Sequence, residues 1–174
     1  MELQILHMIQ GWRTDWLDDI MVLITKLGDE GLIWITLCIA LLIFPRTRKC
    51  GVAIGLSLIL TTILGNEIIK KIVQRPRPFT VDTSVTLLIP QPGQYSFPSG
   101  HTSNSIAAAF SVFLFYKKPG IAALVLAGLI AFSRMYLFVH YPTDILGGIV
   151  LGIVDALIVR FLIKKWDERK ARAK

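Results

Sequence analysis

Apolar and polar positions in this chain are grouped in blocks along the sequence, not in faces around a helix. Five apolar stretches stand out: Gly31–Phe44, Cys50–Ile69, Ser103–Tyr116, Pro119–Val139 and Ile145–Ile163. They are measured against the roughly 20 residues that a helix needs to cross a bilayer, and the first is short. Long parts of them lack the polar stripe that a surface helix of a soluble domain shows at helical period. Ahead of them, Met1–Leu27 mixes Trp12, Trp16, Leu17, Ile20 and Leu23 with Arg13, Asp15, Asp18 and Asp19. That is the pattern of an amphipathic segment at the membrane interface, and a sixth, partly buried span there is the alternative. The pattern predicts one all-α integral membrane domain over residues 1–174, a helical bundle of five to six transmembrane helices.

Composition agrees, since 53% of the 174 residues are hydrophobic, too many for an ordinary soluble domain of this length. The net charge of +7 changes the picture less than its size suggests. The basic residues sit in short junctions, Pro45–Lys49 and Lys117–Gly120, and in the tail Lys164–Lys174. A nucleic-acid partner would call for a basic face on one element, so none is expected. Five spans put the three basic junctions on one side, which the positive-inside tendency makes cytoplasmic. The expected location is the bacterial cytoplasmic (inner) membrane. Cys38 and Cys50 are isolated and form neither a metal motif nor an expected disulfide. Residues 1–12 lack the basic start of a signal peptide.

Lys70, Lys71, Arg75, Arg77 and Arg134 fall on the other side, against that tendency. They belong to three polar clusters. The first, KKIVQRPRP (Lys70–Pro78), could anchor a helix end by snorkelling, but the prolines fix the backbone around Arg75 and Arg77. The second, SFPSGHT (Ser96–Thr102), places a good N-cap, Ser99, and then Gly100 and His101 at the start of an apolar helix. Backbone amides at such a start form an anion site, and glycine lets a ligand approach closely. The third, SRMYLFVHYPTD (Ser133–Asp144), sets Arg134 six residues before His140 and Asp144 four after it. An unpaired arginine at a span centre costs about 2.5–3.5 kcal/mol on insertion scales. A carboxylate on one imidazole nitrogen leaves the other free to attack or to accept a proton. Asp144 could also simply cap the last helix. Together the clusters offer fixed positive charge from Lys70, Arg77 and Arg134, hydrogen bonds from Ser99 and Gly100, and two histidines, an inventory suited to phosphoryl transfer. They lack the carboxylate cluster of a magnesium site and are sparse for zinc.

These residues read as K-x6-R-P (Lys70, Arg77, Pro78), P-S-G-H (Pro98–His101) and S-R-x5-H-x3-D (Ser133, Arg134, His140, Asp144). In that order and spacing, the chain resembles the type 2 phosphatidic acid phosphatase family of integral-membrane lipid phosphatases. The resemblance implies a double displacement without metal or cofactor. His140 attacks phosphorus to give a phosphohistidine, Asp144 orients His140, and His101 protonates the leaving oxygen. Lys70, Arg77, Arg134, Ser99 and Gly100 hold the phosphate. Family members act on phosphatidic acid, phosphatidylglycerophosphate, undecaprenyl diphosphate and the lipid A headgroup, so the implied partners are a lipid phosphate and the bilayer. Vanadium haloperoxidases share the motifs but are soluble and larger. The rival reading is a non-catalytic carrier or transporter of anionic lipids on the same fold, which needs the cations but not both histidines.

Three features outside the motifs carry further expectations. Glu67 is expected to pair with Lys70 or Lys71. Gly51 and Gly55, like Gly148 and Gly152, have the spacing of close helix packing within one molecule. Leu87, Leu88 and Ile89 of the loop Arg75–Phe97 are expected to border an entrance for the lipid tail.

Overall fold

The computed structural model describes residues 1–93 and 95–173, so Gln94 of the inter-motif loop and Lys174 of the tail lie outside the described residues. Helices α1 (Glu2–Gln10) and α2 (Asp15–Leu27) come first, followed by α3 (Leu32–Ile43) and α4 (Arg48–Thr61). The last of these continues without a break through a π-helical stretch, Thr62–Ile69, and one more turn, Lys70–Val73. After the inter-motif loop come α5 (Gly100–Phe115), α6 (Lys117–Tyr136) and α7 (Pro142–Arg172). No strand occurs among the described residues.

Among the described residues, three helical stretches are long and apolar enough to cross a membrane: Arg48–Val81, Lys117–Tyr136 and Pro142–Arg172. Large apolar side chains such as Ile39, Ile59, Val125, Val150 and Phe161 point outward. An aqueous surface would not hold so many, whereas hydrocarbon does. The protein is therefore an integral membrane protein. Helix α3, at 12 residues, is shorter than a full span, as its short apolar stretch implies. The basic tail continues α7 as helix to Arg172, with nearly all of its side chains exposed.

Helix α5 is the centre of the bundle, packed against α6, α7 and α4. Its small residues make this contact close. A Cβ at Gly148 of α7 would lie 2.9 Å from the Ser99 carbonyl oxygen, and one at Gly152 only 2.6 Å from that of Ser103. Gly51 and Gly55 admit α3 in the same way, against Leu42 and Cys38. Because backbone atoms cannot yield as a side-chain tip can, Gly152→Ala should destabilise the protein by about 1–3 kcal/mol. Gly128, with nothing within 4 Å of its would-be Cβ, is the control. Melting in detergent should separate the two variants, and equal curves would refute the close-packing account.

The basic junctions gather at one end of the bundle. Tyr116 donates its hydroxyl to the Arg46 carbonyl (3.0 Å), and Lys49 pairs with Asp167 (2.6 Å). Glu67 pairs with Lys71, at 2.6 Å on an exposed face. Inside the bundle, one oxygen of the buried Asp155 carboxyl accepts a hydrogen bond from Thr61 (2.7 Å), and the other has no partner within the protein.

Candidate active site

The third cluster owes its shape to the way α6 ends. The Val139 N–H reaches back to the Arg134 carbonyl (3.2 Å) and the Phe138 N–H to that of Met135 (3.0 Å), the paired bonds of a Schellman turn. Phe138 occupies the left-handed position of that turn, with φ +59°. A non-glycine residue there costs about 1–2 kcal/mol, which the complete burial of its ring offsets. The turn fixes the spacing of the motif, because it ties Arg134 by its carbonyl to the residue just before His140.

Helix α7 then starts at Pro142, with Tyr141 as its N-cap. The Asp144 carboxylate reaches back to the Tyr141 N–H (2.8 Å), so Asp144 does cap the helix. The same carboxylate faces His140 Nδ1 at 3.4 Å and accepts a short hydrogen bond from the Ser96 hydroxyl. Its other oxygen accepts from Arg75 Nη1 (2.7 Å). One carboxylate thus caps the helix and faces the imidazole.

On the far side of the ring, Arg77 Nη1 lies 3.2 Å from His140 Nε2 and donates to the Val139 carbonyl (3.0 Å). A guanidinium can only donate, so Nε2 is the acceptor and the ring proton sits on Nδ1, toward Asp144. Burial, aided by the positive charges of Arg77 and Arg134 and opposed by Asp144, pushes the His140 imidazole down to about 3. Its charged form is disfavoured, and the Nε2 lone pair faces the cavity.

That cavity has a volume of about 350 Å³ and is lined by Lys70, Arg77, Gly100, His101, Arg134 and His140, together with Asn66 and Asn104. Lys70, Arg77 and Arg134 are each at most 6% exposed. Three cations drawn out of water toward one space repel one another, and a multiply charged anion would relieve that cost. Arg134 donates to Thr25 Oγ1 (2.5 Å), while its Nε has no protein partner. A Cβ on Gly100 would lie 3.2 Å from Asn66 Oδ1 and 3.6 Å from Lys70 Nζ, so the glycine keeps that corner open.

Seven of the eight expected site residues therefore converge, six around the cavity and Asp144 directly behind His140. Ser99 stands behind the wall instead. It is fully buried, its hydroxyl accepts from the Thr102 hydroxyl (3.0 Å), and its N–H donates to the Asp144 carbonyl (3.1 Å). Its capping role is confirmed, and that role uses the atoms expected to hold phosphate. The loop residues Leu87, Leu88 and Ile89 are also placed differently from expectation. They pack against the cluster around Tyr136–Val139, covering the turn before His140 from outside.

Residues 50–168 match the PAP2 superfamily. The chain belongs to this superfamily. It is 37% identical over 137 residues to an undecaprenyl-diphosphatase of Sulfolobus acidocaldarius, covering 78% of this chain and 66% of that protein. It is 33% identical over 152 residues to the undecaprenyl-diphosphatase BcrC of Bacillus subtilis, covering 87% of this chain and 76% of that one. Among solved structures, the PAP2-type phosphatidylglycerolphosphate phosphatase of B. subtilis superposes with a TM-score of 0.77 at 28% identity, over 94% of this chain and 85% of that one. The family resemblance carried by the three motifs is thereby borne out, and all three fall inside the matched PAP2 region.

The motifs do not mention several residues at this PAP2 site. Asn66 and Asn104 each turn a buried, unpartnered side-chain oxygen into the bundle beside the cavity. Asn66 lies four residues before Lys70 and Asn104 three after His101, so helical spacing alone could have indicated both. The π-helical stretch ending at Ile69 holds Asn66 on the cavity side with Lys70, and such irregular turns are frequent at functional sites. Arg75 stood out only as a cation beside Pro76, and Ser96, Thr25 and Asp29 gave no comparable signal, since their partners lie far away in sequence.

Proposed function

We propose that this protein removes the terminal phosphate of a membrane lipid phosphate or diphosphate through a phosphohistidine, and that its preferred substrate is of the prenyl diphosphate type. One observation carries the lipid part. The cation-lined cavity shares Glu30, Gly31 and Asn104 with an apolar groove of about 420 Å³, lined by Ile35, Cys38, Leu58, Ile59 and Ile63 of α3 and the α4 rod. A phosphate in the first and a hydrocarbon tail in the second would lie end to end. This groove takes the place of the expected entrance at Leu87–Ile89. The diphosphate preference rests on the names of the two relatives at 37% and 33% identity.

In the mechanism, His140 Nε2 forms a bond to phosphorus while the bond from phosphorus to the leaving oxygen breaks. His101 gives its proton to that oxygen, and Lys70, Arg77 and Arg134 hold the three phosphoryl oxygens as charge shifts onto them. Neutral His101 then takes a proton from water as it attacks the phosphohistidine. Inorganic phosphate leaves and His140 is restored, with its Nδ1 proton facing Asp144 throughout. The site lies at the end of the bundle opposite the basic junctions, which the positive-inside tendency makes the non-cytoplasmic side.

The test is phosphate release by purified protein in detergent, with a chelator present. Undecaprenyl diphosphate, phosphatidylglycerophosphate and phosphatidic acid are compared, and the prenyl diphosphate should give the highest kcat/KM. No release from any of the three would favour the carrier reading, and loss of activity with chelator would refute the metal-free route.

A further inference from the structure

The first 31 residues lie outside the three motifs and outside the matched PAP2 region, yet they touch the site from several directions. We propose that this segment is an outer shell of the active site and that Glu2 and Asp29 are its positioning residues, one behind each histidine. The proposal rests on the phosphohistidine reading given above.

Behind His140, the carboxylate of Glu2 accepts from Arg75 Nη2 (2.5 Å) with one oxygen. Its other oxygen accepts from the Thr143 hydroxyl (2.6 Å) and N–H (3.1 Å). The opposite arm of the Arg75 fork donates to Asp144 Oδ1 (2.7 Å) and Thr143 Oγ1 (2.6 Å), and the guanidinium lies 3.9 Å over the Tyr141 ring. Arg75 is therefore gripped by Glu2, by Tyr141 and by Asp144, the carboxylate that orients the nucleophile. The rigid, planar guanidinium gives one arm to each carboxylate and so holds Glu2 and Asp144 at a fixed separation. Glu2 also offsets the charge of Arg75, which would otherwise draw Asp144 away from the imidazole at 3.4 Å.

Helix α1 is not loosely attached. Leu6 and Ile9 are buried in the cluster that holds Leu137, Phe138 and Val139, and Gln10 donates to the Tyr136 carbonyl (2.7 Å). The segment grips the nucleophile turn by its backbone as well as through Arg75.

Behind His101, the break between α2 and α3 places Glu30 and Gly31 at φ +51° and +67° and turns the Asp29 carboxylate to His101 Nε2, 2.8 Å away. One imidazole nitrogen is thus committed to Asp29 and the other remains for the leaving oxygen. The arrangement repeats, at the acid, what Asp144 does at the nucleophile.

Full-length variants test each arm. Glu2→Gln should lower kcat about tenfold with KM within about twofold, because misplacing a reacting group is felt in the transition state. In an Arg75→Met background the same change should add less than about twofold, since both act through one contact chain. Asp29→Asn should slow lipid phosphate turnover about tenfold or more, yet p-nitrophenyl phosphate less than about threefold, because that leaving group needs little help from an acid. A rise in KM that matches the fall in kcat, or independent effects in the double variant, would overturn the role of Glu2. Equal losses on both substrates would overturn that of Asp29. These readouts are comparisons between variants, so they stand apart from whether His140→Ala abolishes turnover, which tests the underlying mechanism.

Discussion

His140→Ala should lose phosphate release by about four orders of magnitude or more, the scale seen when a covalent nucleophile is removed. The expectation comes from the proton arrangement around one ring. Arg77 can only donate to Nε2, so that nitrogen carries the lone pair, and Asp144 with Ser96 lies on the Nδ1 side. Burial holds the imidazole down at about 3, so the lone pair is not occupied by a proton at working pH. The variant should remain folded for an equally local reason. Asp144 keeps Arg75, Ser96 and the Tyr141 N–H as partners, so no buried carboxylate is left unpaired. The turn that presents residue 140 is held by the Val139 and Phe138 N–H groups, not by the imidazole. Quenching the wild type during turnover in alkaline denaturant should trap a phosphoprotein, stable in base and lost on acidification, that the variant lacks. Turnover retained in a folded His140→Ala protein would remove the nucleophile assignment.

The sequence made the candidate site residues legible because each motif is short and local. Arg134, His140 and Asp144 come together through one helix end, one tight turn and one helix start, all within eleven residues. Likewise Ser99, Gly100 and His101 follow from a single N-terminus. The helical membrane bundle was legible for a similar reason, since block hydrophobicity needs no partner to be recognised. Partnerships across the chain were not visible. Arg75 reaches Glu2, Arg134 reaches Thr25 and His101 reaches Asp29, and no periodicity links residues that are 73, 109 and 72 positions apart. The loop residues Leu87–Ile89 show the converse error. Apolar residues near a membrane surface suggest contact with lipid, but the turn before His140 presents Tyr136 to Val139, a better apolar surface to cover. Ser99 shows a third limit, because capping and phosphate binding both call for a serine at that position and sequence does not distinguish them.

Arg77→Lys is expected to lower kcat/KM about 10²- to 10³-fold although the formal charge is unchanged, a loss on the scale of removing one preorganised donor. Pro76 and Pro78 flank Arg77, and its backbone caps the short turn Pro78–Val81. From that fixed base the guanidinium spans Val139 O (3.0 Å), His140 Nε2 (3.2 Å) and Gly93 O (2.9 Å). One planar group thereby ties the inter-motif loop to the turn that carries His140 while pointing charge into the cavity. A lysine offers a single ammonium point and cannot hold two carbonyls and a phosphoryl oxygen in one plane. Most of the loss should appear in kcat, because the fork is matched to the phosphoryl group in flight and the charge alone supports binding. Lys71→Ala is the control. Its ammonium is exposed and paired with Glu67 on the helix surface, so activity should stay within about twofold. Should Lys71→Ala lose as much as Arg77→Lys, the effect would belong to the general positive field of this end of the bundle and not to the geometry of Arg77.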